Sequence, residues 1–315
     1  MPYFISVVIP AHNRNDSLEE TIKSLLNQDY LKNSYEIIIV GCNKNRTREV
    51  IAALHNRLIK FYEIDSTYPD KKRNFGINIA KGEIIAFTDD DCLPNKDWLS
   101  KINAAFESEK DLAGIEGKTI QDNKQIFCHA SENLFGGKYL ACNYAFKKDI
   151  LIKVNGFDEN YGFFREDTDL VFKVLNLGNK VKFDEQVIVY HPARKISKFT
   201  KIKELFLVKG DIRLFKKFPD LYTKHFGLIC KGAFKQSFFS WFVFSVSLYL
   251  SFSSNVLFLI MGLAFLAIFR YLVELREKQF NLLELVILFF SCLLRDLLFP
   301  FFFTYYYLII HPKKS

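Results

Sequence analysis

Short apolar runs alternate with amphipathic stretches over the first two-thirds of the chain, and long unbroken apolar runs fill the remainder. Phe4–Ile9 is an apolar run of the kind found in a strand buried on both faces. Ser17 with Glu20 reads as a capping box, and Leu18, Ile22, Leu25 and Leu26 give the stripe of the helix behind it. Glu36–Val40 and Lys60–Ile64 predict two further strands, with a helix over Arg46–Arg57 between them. A helix over Arg73–Lys81 ends at Gly82, and a strand over Ile84–Thr88 and a helix around Asn95–Glu107 follow. Successive strand–helix units of this length predict an α/β fold built on a parallel sheet with right-handed crossovers. The pattern is less regular beyond that point. It predicts a strand near Ala113–Ile120, a helix near Lys147–Val154, a helix from Glu166 to Leu177 ended by Gly178, and a strand over Val181–Tyr190.

From Phe238 the pattern changes. Phe238–Ser254 and Val256–Val273 carry no charge until Arg270, and each is near the roughly 17–25 residues that cross a bilayer as a helix. A third run, Leu282–Ile310, is interrupted by Arg295, Asp296 and Pro300, so the reading is two spans plus a segment that spans or re-enters. Arg270, Arg276 and Lys278 after the second span, and Lys313 with Lys314 at the end, favour the cytoplasmic face.

Composition sharpens this picture through charge. Between Lys195 and Lys235 there are eleven Lys/Arg and three acids, and the difference of +8 equals the formal charge of the whole chain. A basic belt leading into apolar spans points to anionic membrane lipids and not to nucleic acid. Phe199–Phe218 reads as an amphipathic helix, with Ile202, Leu205, Phe206, Val208, Ile212 and Phe215 on one side, lying on the membrane or packed on the first domain. The expected organisation is a first domain over 1–195, basic helices over 196–236 and a membrane region over 237–315. The chain opens directly on a strand, without the pattern of a secretory leader. Six scattered cysteines with no CxxC pair read as reduced thiols and argue against a zinc site.

Candidate chemistry centres on Asp89, Asp90 and Asp91, which follow the strand Ile84–Thr88 at the edge where open α/β sheets present ligand-binding residues. Three crowded carboxylates repel one another unless a cation or several donors neutralise them. Alternation in an extended chain puts Asp89 and Asp91 on one face and Asp90 on the other. A hard cation, Mg2+ or Mn2+, suits such oxygen ligands, with phosphate oxygens completing its shell. The simpler alternative is an acidic cap on the helix that begins near Asn95. A second acidic group, REDTDL at 165–170, either compensates a helix dipole or supplies a general base.

Taken in order, VVIPAHNR at 7–14, KRNFGINIAKGEIIAFTDDD at 72–91, CNYAFKKDIL at 142–151, GFDE at 156–159 and REDTDL resemble a family 2 glycosyltransferase. The resemblance covers residues 4–191 well and 199–226 loosely. It implies a GT-A fold, a Rossmann-like mixed sheet that binds a nucleoside-diphosphate sugar, followed here by an α-helical transmembrane region. On the matching positions, Pro10, Ala11, His12, Asn13 and Arg14 would bind the nucleotide, Arg73 would lie near the diphosphate, and Asn74 would shape that pocket. Asp89 and Asp90 would approach ribose and diphosphate, and Asp91 would ligate the metal with Asp89 and His191. Asp167 would be the catalytic base, with Glu166 its neighbour on the acceptor side. The implied activity is inverting, metal-dependent transfer to a lipid-linked or glycan acceptor at the cytoplasmic face of the cell membrane.

One departure stands out. The family carries an acid that contacts the base after its second strand, whereas this chain reads VGCNKN with Gly41 in that place. Asn43 and Asn45 are the candidate replacements. The alternative function is a membrane-anchored sugar-nucleotide-binding or scaffold protein that has lost turnover. A nucleotidyltransferase is disfavoured, since HNRND at 12–16 contains no glycine for a phosphate loop.

Overall fold

The computed structural model describes residues 2–12, 14–42, 47–121, 127–129, 131–253, 255–274 and 282–311. Asn13, Asn43, Asn45, Arg46, Arg276, Lys278, Lys313 and Lys314 lie outside the described residues, as do the side chain of Arg270 and part of the loop after Ile120. The chain divides into two compact units, Met1–Asp122 with Ala130–Ala193, and Asn123–His129 with Arg194–Ser315.

In the first unit the elements run β1 (Ile5–Pro10), α1 (Asn15–Leu26), β2 (Tyr35–Cys42), α2 (Thr47–Ala53), β3 (Ile59–Ile64), α3 (Pro69–Ile79), β4 (Ile84–Phe87), β5 (Leu93–Pro94), α4 (Trp98–Ser108) and β6 (Leu112–Ile120). After β7 (Cys128–His129), which belongs to the second unit, come β8 (Tyr144–Lys147), α5 (Lys148–Lys153), α6 (Glu166–Asn176) and β9 (Lys180–Tyr190). The sheet order is β3-β2-β1-β4-β8-β6-β9-β5. The first four strands are parallel, as the alternating pattern predicts, but β8 runs antiparallel to both β4 and β6. The sheet is therefore mixed. Four residues inside CNYAFK are too few to display a period, which is why β8 escapes a reading by pattern.

β1 and β2 are buried along their whole length, and the stripe Leu18, Ile22 and Leu25 of α1 packs with them. The Ser17–Glu20 capping box is not formed. α1 starts at Asn15, so Ser17 lies in its first turn and donates its hydroxyl to the Arg14 carbonyl instead. α2 stops at Ala53, well before Arg57, because His55 turns left-handed (φ 41°). α3 begins at Pro69 and not at Arg73; proline at the first helical position loses no hydrogen bond there. Residues 95–97 form a turn before α4, which begins at Trp98, and Asn95 donates to Ile188.

Two glycines answer to packing. A Cβ on Gly76 would lie 2.4 Å from Val8 Cγ1, so this residue lets α3 settle directly on β1. Gly41 is an in-register strand residue opposite Glu63, and a Cβ there would meet the Phe61 ring at 2.9 Å.

In the second unit β7 pairs with β10 (Arg194–Lys195), and five helices follow: α7 (Thr200–Lys217), α8 (Pro219–Phe226), α9 (Lys231–Ser253), α10 (Leu257–Glu274) and α11 (Leu282–Ile309). Part of the apolar stripe of α7 packs within the second unit, while Phe206 stays half exposed. Leu205, Val208 and Ile212 are buried against Phe299 and Ile310, and Phe206 meets the Phe302 ring edge-on. α11 continues as one helix through Pro300. Proline has no N–H for the carbonyl of residue 296, and the Ser237 hydroxyl of α9 donates to that oxygen instead at 2.7 Å. Trp241 Nε1 donates to the Leu297 carbonyl at 3.2 Å. Arg295 is held by Glu204 (3.0 Å), Gln236 (2.9 Å) and Asp296 (2.9 Å), and Ser240 donates to Asp296. Among the described residues one helix, Val286–Ile309, is long and apolar enough to cross a membrane.

Candidate active site

The site is assembled at the carboxyl ends of β1 and β4 and the start of α6. Gly76 draws α3 onto β1, and that contact brings Lys72 and Arg73 of the same helix into the interior. Lys72 is buried and donates to the Ala11 carbonyl at 2.6 Å, fixing the end of β1. Burial lowers its ammonium pKa. Arg73 is buried as well. Its Nη2 lies 2.7 Å from Asp89, and its Nη1 is 3.6 Å from Glu166.

The acidic triplet lies beyond β4, with Asp90 and Asp91 in a turn, so strand alternation does not arrange it. Asp90 accepts from the His12 backbone N–H at 2.6 Å and from Arg14 at 2.8 Å. Asp89 and Asp91 gather with Cys92 and His191, one ligand atom from each lying within 4.8 Å of the others. None of the three acids caps α4, which has no side-chain cap. Arg14 also reaches Asp91 at 2.6 Å. Burial works to raise the Asp89 carboxyl, but the charge and hydrogen bond of Arg73 outweigh it and hold Asp89 below the usual range. Burial carries Asp90 up to about 6, against the pull of Arg14.

Asp89, Asp91 and His191 fit a divalent cation. His191 is buried and its Nδ1 lies 3.1 Å from the Pro192 carbonyl, an oxygen that can only accept. In the neutral ring the proton would sit on Nδ1, which leaves Nε2, 3.8 Å from Asp91 Oδ1, as the nitrogen that can ligate. Two carboxylates and one imidazole are donors that suit Mg2+ or Mn2+. Cys92 offers the fourth atom of the group, but burial pushes its thiol well above the usual range.

The acid pair opens α6. Glu166 is buried, and its Oε2 accepts no hydrogen bond among the described residues. Burial, then the neighbouring Asp167 charge, push its carboxyl up to about 8 against the opposing charge of Arg73. Asp167 accepts from the backbone N–H and hydroxyl of Thr168, and burial raises its carboxyl too. Phe164 and Arg165, immediately before the pair, are both left-handed (φ 73° and 75°). Such non-glycine conformations cost about 1–2 kcal/mol each and concentrate at functional sites.

Of the residues singled out from sequence, His12, Arg14, Arg73, Asp89, Asp90, Asp91, Glu166 and His191 are linked by direct contacts. Pro10 and Ala11 are buried in β1 and just beyond it. Asn74 faces another way: it accepts from Phe157 N–H and donates to the Phe157 carbonyl and Glu159, tying α3 to the GFDE segment. Sequence reasoning missed Lys72, which looks like any surface lysine until α3 is docked. It also missed Glu116. This buried carboxylate accepts from Asn133 Nδ2 (2.8 Å) and Gly137 N–H (2.7 Å), and from Tyr139 N–H, anchoring the loop beside β6. A lone acid inside an apolar strand was the available signal.

The family model described as glycosyl transferase family 2 matches residues 6–161. Glycosyltransferase AglE of Haloferax volcanii is 25% identical over 226 residues, covering 67% of this chain and 74% of that protein. The poly(ribitol-phosphate) beta-N-acetylglucosaminyltransferase TarS of Staphylococcus aureus is 33% identical over 121 residues, 36% of this chain and 21% of TarS. A structure of a TarS fragment with UDP superposes with a TM-score of 0.52 at 16% identity, covering 94% of this chain and 91% of that one. The mannosyltransferase PcManGT of Pyrobaculum calidifontis, solved with GDP-Man and Mn2+, gives a TM-score of 0.58 at 16% identity, over 98% and 88% of the two chains. These structural likenesses establish a GT-A type of fold.

Proposed function

This chain belongs to glycosyl transferase family 2, and from that premise we propose that it transfers a sugar, with inversion, from a nucleoside-diphosphate sugar to an acceptor hydroxyl. The observation that carries the proposal is the buried Arg73, which joins the acidic triplet to the acid pair. Transfer needs two kinds of electrostatic help, one for the departing diphosphate and one for the hydroxyl that attacks. The triplet serves the first. Asp89, Asp91 and His191 would hold Mg2+ or Mn2+, which stabilises the leaving diphosphate as a Lewis acid when bound. Arg14 and His12, hydrogen-bonded to Asp90, form the wall toward the nucleotide.

The acid pair serves the second. Burial raises both carboxyls of the pair, Glu166 up to about 8. We assign Asp167 as the base that accepts the acceptor's proton, from its place in the REDTDL segment that resembles the family's. Gly41 gives no reason to doubt turnover, since its place under Phe61 accounts for the missing side chain.

The relatives suggest where the enzyme works. TarS is named for a poly(ribitol-phosphate) acceptor, and α11 is apolar enough to anchor the chain in a membrane. We place the catalytic unit on the cytoplasmic side, where nucleotide sugars occur, with α9 and α10 as further membrane helices. Release of nucleoside diphosphate from a panel of UDP- and GDP-sugars, with and without Mn2+, tests the reading. Metal-dependent release from one donor is expected. No release from any donor, with nucleotide still bound, would leave a binding protein in place of an enzyme.

A further inference from the structure

The geometry points to an aromatic platform, formed by Tyr68, Phe163 and Phe164, that stacks on the face of a pyranose ring in the acceptor. This inference rests on the transferase reading above and narrows its acceptor to one whose reacting unit is a sugar. Tyr68, Phe163 and Phe164 are large apolar side chains left 44%, 55% and 36% exposed, and Phe163 and Phe164 stand just before the acid pair in sequence. The Tyr68 and Phe163 rings lie 5.4 Å apart.

The platform is built, not incidental. Asp70 is fully buried, and its Oδ2 accepts from the Gly162 N–H at 3.0 Å, binding the aromatic loop to the first turn of α3. Gly162 is left-handed (φ 70°), and a Cβ there would press on the Tyr68 ring at 3.1 Å. Phe164 is held in the left-handed region, with the Arg165 guanidinium 4.8 Å from its ring centre. Tyr68 caps the helix that carries Asp70 and Arg73, and Arg73 contacts Glu166. Platform and acid pair are thus fixed to one element.

The chemistry selects a sugar ring. An acceptor hydroxyl must come within hydrogen-bond reach of Asp167 to lose its proton, which brings the unit bearing it near Phe163 and Phe164, three and four residues earlier in the chain. A pyranose presents C–H groups on one face, and these complement the negative face of an aromatic ring. A phosphorylated acceptor would bring its charge up to the acid pair, where the base must accept a proton. Arg73 already engages Asp89 and Glu166, and Arg165 is spread over Phe164.

Saturation-transfer NMR on the full chain in phosphatidylcholine nanodiscs, with Mn2+ replaced by Mg2+, tests this directly. The probes are methyl β-D-glucopyranoside, methyl α-D-mannopyranoside, methyl N-acetyl-β-D-glucosaminide and ribitol 5-phosphate, with UDP and GDP titrated separately. At least one glycoside is expected to bind through its C–H face. Phe163→Ala and Tyr68→Ala should weaken it by about tenfold or more while nucleotide affinity holds. Glycoside binding unchanged in both variants, no glycoside binding by the wild type, or binding of ribitol 5-phosphate alone would overturn the proposal. So would a parallel loss of nucleotide affinity, which would assign the rings to the donor, or a Phe163-dependent affinity for empty anionic vesicles. If glycosides bind through Phe163 but neither nucleotide does, the donor reading fails and the platform stands.

Discussion

Arg73 sets one guanidinium nitrogen 2.7 Å from Asp89 and another 3.6 Å from Glu166, so a single buried cation ties the metal-binding acids to the acid pair. The charge of Arg73 stays in place through burial because two acids face it, and the helix that carries it is pinned to β1 at Gly76. Removing that cation leaves the half-buried Asp89 carboxylate and the buried Glu166 carboxyl without their shared partner. We expect Arg73→Gln to destabilise the first unit by about 3–5 kcal/mol, the cost of breaking a buried pair from one side. Arg73→Lys keeps the charge but cannot span both acids, so we expect a smaller thermal shift with equal loss of transfer. Equal melting temperatures for wild type and Arg73→Gln would disprove the tie.

Separate roles for the two acidic groups give a second expectation. Asp91→Asn should lower Mn2+ affinity and nucleotide affinity together, as read by calorimetry. Asp167→Asn should leave nucleotide affinity unchanged and reduce turnover by about 10²–10⁴, the usual contribution of a general base. Turnover above about a tenth of the wild type in Asp167→Asn would remove the base assignment.

How far the sequence carried this can be judged residue by residue. The acid triplet, REDTDL and the strand–helix rhythm up to Ile120 were legible because each is a local pattern. Lys72, Glu116 and β8 were not, because each takes its meaning from a partner far along the chain: the Ala11 carbonyl, the loop at 133–139, and strands β4 and β6. The Ser17–Glu20 box failed for the opposite reason. It is a local motif that the tertiary start of α1 overrides. The amphipathic face of α7 is legible too, and α11 covers its Leu205, Val208 and Ile212.

Glu166 gives a pH signature. Its folded carboxyl is pushed from 4.5 up to about 8, so the folded chain holds that proton more tightly than the unfolded chain. Stability from this group is fully present below pH 4.5 and is lost as the pH rises toward about 8. Glu166→Gln cannot ionise. We expect it to unfold at a higher temperature than the wild type at pH 8–9, by an amount that shrinks as the pH falls to about 4.5. A pH-independent difference between the two proteins would show that Glu166 does not titrate on burial.

Within the C-terminal unit, the continuity of α11 through Pro300 depends on a hydroxyl from a neighbouring helix. Pro300 leaves the Asp296 carbonyl without its helical donor, and Ser237 supplies one at 2.7 Å. Ser237→Ala deletes only that donor and leaves a buried carbonyl unpaired, which costs about 1–3 kcal/mol. Pro300→Ala restores the helical N–H, so the serine becomes dispensable. We therefore expect Ser237→Ala to lower the unfolding midpoint of the detergent-solubilised chain, and the same change made on a Pro300→Ala background to cost much less. The pair of measurements forms a double-mutant cycle whose coupling reports the hydrogen bond itself. Additive effects would mean that the carbonyl finds another donor, and that Pro300 is tolerated for some reason other than Ser237.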